Sequence, residues 1–264
     1  MDPINSILHF INTESHESTN YIISKFIIEN VKIIPTTNIT DFAVATNVSP
    51  ATITRYIKHL NLDNYSDFKN FFKTLLNANR SSFLRMDQFQ LDKIIIDPQE
   101  FLLQYADEIC EAIKDSARNI KIDDVKYLNK RIFNSDNIAI LGYGDANLIA
   151  KDIQLGYIFF NKVIHCADSY DKLNDIIQTF NNKSLIIVIS NYGNFFNHYR
   201  QQYLQMIKKK IPIICITQNF QSMDVFAFEK TIYLSSIRNL KAGNYPFRLF
   251  SDFYVRYLLN NYTK

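Results

Sequence analysis

Tryptophan is absent from the chain, and cysteine and glycine are sparse, at three and five among 264 residues. Cys110, Cys166 and Cys215 stand far apart, with no CxxC pair and no metal-ligand spacing. A disulfide framework and a zinc cluster are thereby excluded, and free thiols in a reducing cytoplasm are the plain reading. With so few glycines, each is expected to answer for a turn or a close backbone approach. Long apolar runs are missing too: "LIIVI" and "IPIICI" have the length of strands and fall far short of a membrane span. The opening "MDPINSILHF" lacks a basic stretch ahead of an apolar one and does not read as a secretory leader. A soluble, cytoplasmic protein that does not engage membranes is expected. No GK[ST] phosphate loop, HExxH helix or Gly-Xaa-Ser-Xaa-Gly elbow occurs, and neither a cofactor nor a metal is implied.

What is present is core material: 47% of residues are hydrophobic and 21% charged, and the length accommodates two domains. The formal charge of +3 is too small to argue for a polyanionic partner, but its distribution is uneven. Over residues 1–48, Lys25 and Lys32 face Asp2, Glu14, Glu17, Glu29 and Asp41, a net −3. Over residues 49–85, Arg55, Lys58, Lys69, Lys73, Arg80 and Arg85 face only Asp63 and Asp67, a net +4.

The pattern along the chain divides it. Residues 20–80 carry helical periodicity only, with Ile22, Ile23, Phe26 and Ile27 on one face and then Ile39, Phe42 and Ala43 on the next. Residues 78–97 have no clean period and read as a linker. From Pro98 two further helical segments run to about Phe133. Then "NIAILG", "KVIHC", "SLIIVIS", "PIICIT" and "TIYLS" follow as short β-branched runs. Helical stretches such as "DANLIAKDIQLGYIFF" and "NFFNHYRQQYLQMIKKK" separate the first four of them. Continuous apolar strands alternating with helices imply a parallel sheet covered on both faces. The expected organisation is an all-α domain over residues 1–77, the linker over 78–97, and an α/β three-layer domain over 98–264.

The stretch "NVSPATITRYIKHLNLDNYSDFK" shapes the basic region. Asn47 suits a tight left-handed turn, Ser49 an N-cap and Pro50 the first helical position, so helix, short turn, helix is predicted. At 100° per residue, Ile53, Tyr56, Ile57 and Leu60 form one stripe. Ala51, Arg55 and Lys58 fall near the opposite pole, flanked by Thr52, Thr54 and His59, with no acid among them. Small, hydroxyl and cationic side chains on an anchored helix suit the major groove of double-stranded DNA, and the same face suits plain solvent.

The window over roughly residues 17–77 resembles the N-terminal helix-turn-helix domain of RpiR/MurR-type bacterial transcription regulators. Val48, Ser49, Thr52, Ile53, Arg55, Leu60, Tyr65, Phe68 and Lys69 stand in the order of that family's motif. Asn61 replaces its usual glycine at a helix end. The resemblance implies DNA contacts from Ser49, Ala51, Thr52, Thr54, Arg55, Lys58, His59 and Lys69. It also implies a homodimer or higher homo-oligomer on a two-fold operator, regulating carbohydrate metabolism.

Residues 98–264 resemble, more weakly, the sugar isomerase (SIS) domain that accompanies such regulators, whose sheet is flavodoxin-like. Two strand-to-helix turns carry the match. Gly142 and Gly144 fit a G-x-G-x-S loop, and Ser190 and Gly193 fit an S-x-S-G-x-T loop. The resemblance implies a sugar-phosphate effector held by these loops, with Asn147, Asn191 and Asn194 as the other polar groups at hand. Three hydroxyls of the pattern are missing: Ala146, Tyr192 and Phe195 occupy their places. An altered or absent effector site is expected, since each lost hydrogen bond to a charged group removes about 1.5–3 kcal/mol.

SIS domains also serve aldose–ketose isomerases, so a sugar-phosphate isomerase with an accessory helical domain is the alternative. That chemistry needs a positioned acid and base. After Glu111 the chain offers only Glu229, His165 and His198. The eroded loops and the basic helix favour a regulator, with no catalytic residue.

Overall fold

A computed structural model describes residues 3–77, 86–218, 227–236 and 242–262, apart from the side chains of Tyr192, Asn194 and Tyr262. The chain divides into two compact units, Met1–Met86 and Asp87–Lys264.

The first unit is helical: α1 (Pro3–Thr13), α2 (Thr19–Glu29), α3 (Ile39–Ala45), α4 (Pro50–His59) and α5 (Tyr65–Asn77). Side-chain oxygens set three of the starts. Ser18 accepts from the Tyr21 amide, Asn38 from Asp41 and Ser49 from Thr52. Asn47 (φ 53°) turns the chain between α3 and α4, and Asn61 (φ 60°) turns it after α4. Ile23, Ile27, Phe42, Ile53, Tyr56, Ile57, Leu60, Phe68 and Phe72 form one buried core. Ile22, expected on the inner face, is instead 37% exposed. Ser24 takes that place, because its hydroxyl is bonded to the Tyr56 hydroxyl at 2.6 Å in the core. Burial raises the Tyr56 pKa, so its proton stays in place to serve that bond.

The second unit opens with α6 (Gln88–Ile96), α7 (Pro98–Asn119) and α8 (Ile122–Phe133). Residues 88–96 thus form a helix within the stretch read as linker, started by a reciprocal capping box between Asp87 and Gln90. The sequence hid it because none of its residues is buried. The α/β part follows: β1 (Ile138–Gly142), α9 (Ala146–Gly156), β2 (Ile164–His165), α10 (Tyr170–Thr179) and β3 (Leu185–Ile189). It continues with α11 (Asn194–His198), α12 (Arg200–Lys208), β4 (Ile213–Thr217), β5 (Lys230–Tyr233) and α13 (Tyr245–Tyr262). Two stretches read as single helices are broken. The first passes into a 3-10 turn at Tyr157–Phe160, and the second bends at Tyr199.

All five strand-like runs are strands, paired in parallel in the order β2-β1-β3-β4-β5. This is the flavodoxin-like order, whose direction of winding reverses between β1 and β3. The alternation of side chains divides each strand between two cores. Ile138, Ile140, Leu185, Ile187, Ile189, Ile214 and Ile216 face α8, α9 and α13. Ala139, Leu141, Ile186, Val188, Ile213 and Cys215 face α10, α11 and α12. The result is three layers, helices on both faces of the sheet.

Replacing Ser24 by alanine strands the Tyr56 hydroxyl in the core and should cost about 1–3 kcal/mol. Adding Tyr56→Phe removes the stranded group and should recover most of that loss in urea unfolding. Additive losses in the double variant would show that the bond does not organise this core.

Candidate DNA-reading helix and switch-point crevice

In α4 the buried stripe is the one expected: Ile53, Tyr56 and Ile57, with Leu60 at its end. Ala51, Thr54, Arg55, Lys58 and His59 are exposed and Thr52 is half-buried. The Ser49 hydroxyl works locally, accepting from the Thr52 amide at 3.2 Å and bonding Thr52 Oγ1 at 2.9 Å. Thr54 Oγ1 donates to the Pro50 carbonyl at 3.0 Å. Among the described residues Arg55 reaches back to Thr52 Oγ1 alone, at 3.4 Å, which leaves most of its guanidinium donors open there. No carboxylate lies on this face of α4. Lys69 stands apart from these groups, half-buried on α5.

In the second unit the register pairs Gly142 with Ile189 at the carboxyl ends of β1 and β3. The two Gly-containing loops therefore flank the point where the sheet's winding reverses, the usual ligand position in open α/β sheets. Their side chains mostly face inward. Ser190 is 2% exposed and its hydroxyl accepts from the Phe195 amide in the first turn of α11 at 3.1 Å. The Asn191 amide donates to the Gly243 carbonyl at 3.0 Å and accepts from Gln218 at 3.3 Å, and Gln218 also donates to that carbonyl at 2.7 Å. Gly193 supplies the left-handed turn before α11 (φ 81°). The side chain of Asn194 lies outside the described residues, as does that of Tyr192.

Where the pattern would place hydroxyls, Ala146 and Phe195 are buried, at 4% and 1% exposure. Phe195 packs against Tyr199 with ring centroids 4.9 Å apart. Tyr143, from the first loop, stacks on His198 at 4.3 Å, and Tyr170 places its hydroxyl 3.3 Å from His198 Nε2. Burial pushes the Tyr199 hydroxyl up to about 12. The carboxylate of Asp145 stands at the N-terminus of α9 without capping it, where an anion would otherwise be drawn. Asn147 Oδ1 is buried with no hydrogen-bond partner among the described residues.

The glycines have different roles. A Cβ on Gly142 would lie 2.4 Å from the Ala146 backbone carbon and 2.6 Å from the Asn147 amide nitrogen. Gly142 therefore lets the start of α9 press directly onto β1. Gly144 faces open space but has φ +60°.

The residues weighed for isomerisation are not brought together. Glu229 precedes β5, at the end of the sheet opposite the crevice. It accepts from Arg131 at 2.5 and 2.8 Å and from the Tyr127 hydroxyl at 2.6 Å. The Arg131 guanidinium holds its carboxyl below the usual range, the wrong direction for a proton acceptor near neutrality. His165 lies on β2 with its ring edge-on to Phe180. Burial pushes the Cys166 thiol up to about 11 and Cys215 further, so neither is a thiolate at neutral pH. Among the described residues, no cluster of three or more His, Cys, Asp or Glu could hold a metal, and no helix is long and apolar enough to cross a membrane.

No family model matches the chain, and no curated protein matches it in sequence. Solved structures do resemble it. The sugar isomerase domain of an RpiR transcription factor from Sphaerobacter thermophilus is 11% identical with a TM-score of 0.52, over 61% of this chain and 91% of that one. The Vibrio vulnificus NanR protein complexed with ManNAc-6P is 15% identical with a TM-score of 0.49, over 98% and 92%. The E. coli CFT073 protein c3406 is 13% identical with a TM-score of 0.49, over 66% and 93%. The sheet order and the first of these likenesses identify the α/β unit as having the fold of a sugar isomerase domain.

Gly142→Ala should cost about 3 kcal/mol in urea unfolding, because backbone rather than a movable side chain meets the added carbon. Gly144→Ala should cost only about 1 kcal/mol, the conformational penalty alone. Equal losses would mean that α9 does not rest on β1 at Gly142.

Proposed function

We propose that this protein is a DNA-binding transcription regulator that reads a two-fold operator as a homodimer. One observation carries the reading: α4 is capped by Ser49, anchored by Ile53, Tyr56 and Ile57, and turns an acid-free face of Ala51, Thr54, Arg55, Lys58 and His59 outward. Such a helix can enter a major groove, with Ala51 allowing close approach and Arg55 reaching a guanine edge. Lys69 on α5 contacts the phosphate backbone. The α/β unit, whose fold an RpiR transcription factor also carries, serves as the dimerisation and sensing unit. Regulation of carbohydrate metabolism fits that fold.

The crevice supports an altered effector rather than an ordinary sugar phosphate. Its remaining serine hydroxyl is bonded to the Phe195 amide, Asn191 is held internally, and Asp145 adds a negative charge at the α9 N-terminus. Catalytic isomerisation is disfavoured by the same arrangement, with Glu229 bound to Arg131 at the far end of the sheet.

Arg55→Ala should weaken binding to the preferred operator by about 1–3 kcal/mol and relax base preference at one position per half-site. Lys69→Ala should leave preference unchanged and reduce the salt slope of binding by about one. Fluorescence anisotropy on a selected operator checks both, and identical isotherms for the three proteins on every duplex would sink the reading. For the crevice, a ligand at 100 times its Kd stabilises a protein by about 2.7 kcal/mol. Hexose, pentose and aminosugar phosphates are accordingly expected to leave the melting temperature unmoved. A rise of several degrees with any of them would restore the ordinary effector.

A further inference from the structure

A groove of about 620 Å³ opens between α8 and α13, lined by Lys126, Lys130, Phe133 and Asn134 from the first and by Tyr257 and Asn261 from the second. It lies away from the switch point. Asn134 stands four residues ahead of Ile138, at the amino end of β1, whereas the Gly-containing loops leave the carboxyl ends of the strands. At about 100° per residue, Lys126, Lys130, Phe133 and Asn134 share one side of α8, and Tyr257 and Asn261 share one side of α13. Phe133 and Tyr257 are half-buried and held from behind by other rings, Phe160 at 5.8 Å and Phe253 at 5.9 Å between centroids. The groove therefore has two fixed aromatic walls. Asn261 donates to the Tyr257 carbonyl at 2.8 Å, which leaves its Oδ1 to accept.

Charge adds a second element. The neighbouring cations are occupied: Arg131 holds Glu229, Lys230 holds Asp124 at 2.6 Å, and Lys162 donates to the Phe133 carbonyl at 2.8 Å. Lys126 and Lys130 are exposed and have no such partner among the described residues, and no acid lines the groove. Asp123, a turn before Lys126, makes no ion pair with it. Like charges four residues apart on a helix repel each other, and an anion between them reverses that effect.

We propose that this groove is a binding site for a nucleoside phosphate, with its phosphates on Lys126 and Lys130 and its base against Phe133 and Tyr257. The proposal goes beyond the regulator reading and does not depend on it. Size permits it, because small-molecule sites span roughly 300–1,000 Å³. Two ammonium groups suit one or two phosphates, which Lys engages as a point charge. A duplex instead engages a long row of cations, roughly 6–10 for a strongly salt-dependent complex, and this groove has two. A bare phosphate or a sugar phosphate would leave the aromatic walls unused, whereas any base has a face to stack on them. The amides of Asn134 and Asn261 complete the set as donors and acceptors for base or ribose edges.

The test is isothermal titration calorimetry of the full chain, with ADP as the probe and adenosine, inorganic pyrophosphate and ribose 5-phosphate beside it. ADP is expected to bind at least about tenfold more tightly than any of the other three, since each carries only part of the recognised chemistry. Lys126→Ala/Lys130→Ala should weaken ADP by about 100-fold through the loss of two charge-assisted bonds. Its melting temperature should not change, because both side chains are exposed. Tyr257→Leu should bring ADP and pyrophosphate close to equal affinity. Hydrogen exchange on unmodified protein gives a second reading, in which ADP should slow the amides of residues 126–134 and 257–261. No saturable heat with ADP, full affinity in the lysine variant, or pyrophosphate matching ADP on wild type would overturn the proposal. Protection confined to residues 142–147 and 190–195 would overturn it too, by placing the nucleotide at the switch point.

Discussion

Strands β1, β3 and β4 are buried along their whole lengths, and this constraint organises the second unit. A parallel sheet with apolar side chains on both faces cannot leave either face to water, so helices must lie on each side. Their placement follows the alternation of side chains, with α8, α9 and α13 against one set and α10 to α12 against the other. The β2-β1-β3-β4-β5 order then reverses its winding between the ends of β1 and β3, where open α/β sheets usually bind their ligands. Gly142 is where this constraint is tightest, because α9 starts almost in contact with the strand that precedes it.

The polar groups of the two units are used in opposite ways. Around the switch point they are turned inward: Ser190 accepts from the Phe195 amide, while Asn191 and Gln218 satisfy the Gly243 carbonyl. Phe195, where the resembling pattern carries a hydroxyl, packs against Tyr199. On α4 the polar groups are turned outward and the aliphatic ones inward, and the buried Ser24–Tyr56 bond fixes the helix to α2. One unit spends its polar groups near the switch point on internal bonds, and the other keeps an open cationic face on α4.

Much of this was legible from residue order. The five strands, the turn at Asn47, the Ser49 cap, the Pro50 start and the inner stripe of α4 depend on near neighbours and on periodicity, so a single sequence carries them. The two Gly-containing loops were legible for the same reason, as strand-to-helix turns. Less legible were features governed by distant partners. Ile22 yields its place to Ser24 because Tyr56, 32 residues on, requires a hydroxyl. The break at Tyr199 and the 3-10 turn after Gly156 interrupt runs whose periodicity continues through them. The helix at Gln88–Ile96 has no buried stripe to announce it.

The sequence by itself determined the two-part organisation, the covered parallel sheet and the chemistry of the α4 face, because hydrophobic period, caps and charge are local quantities. Tertiary structure alone decided the rest. It brought the two loops to neighbouring strand ends, bound Asn191 to a carbonyl 52 residues away and set Glu229 at the opposite end of the sheet against Arg131. Whether a side chain is buried, bonded or open depends on what the fold lays against it, and periodicity along the chain does not contain that information.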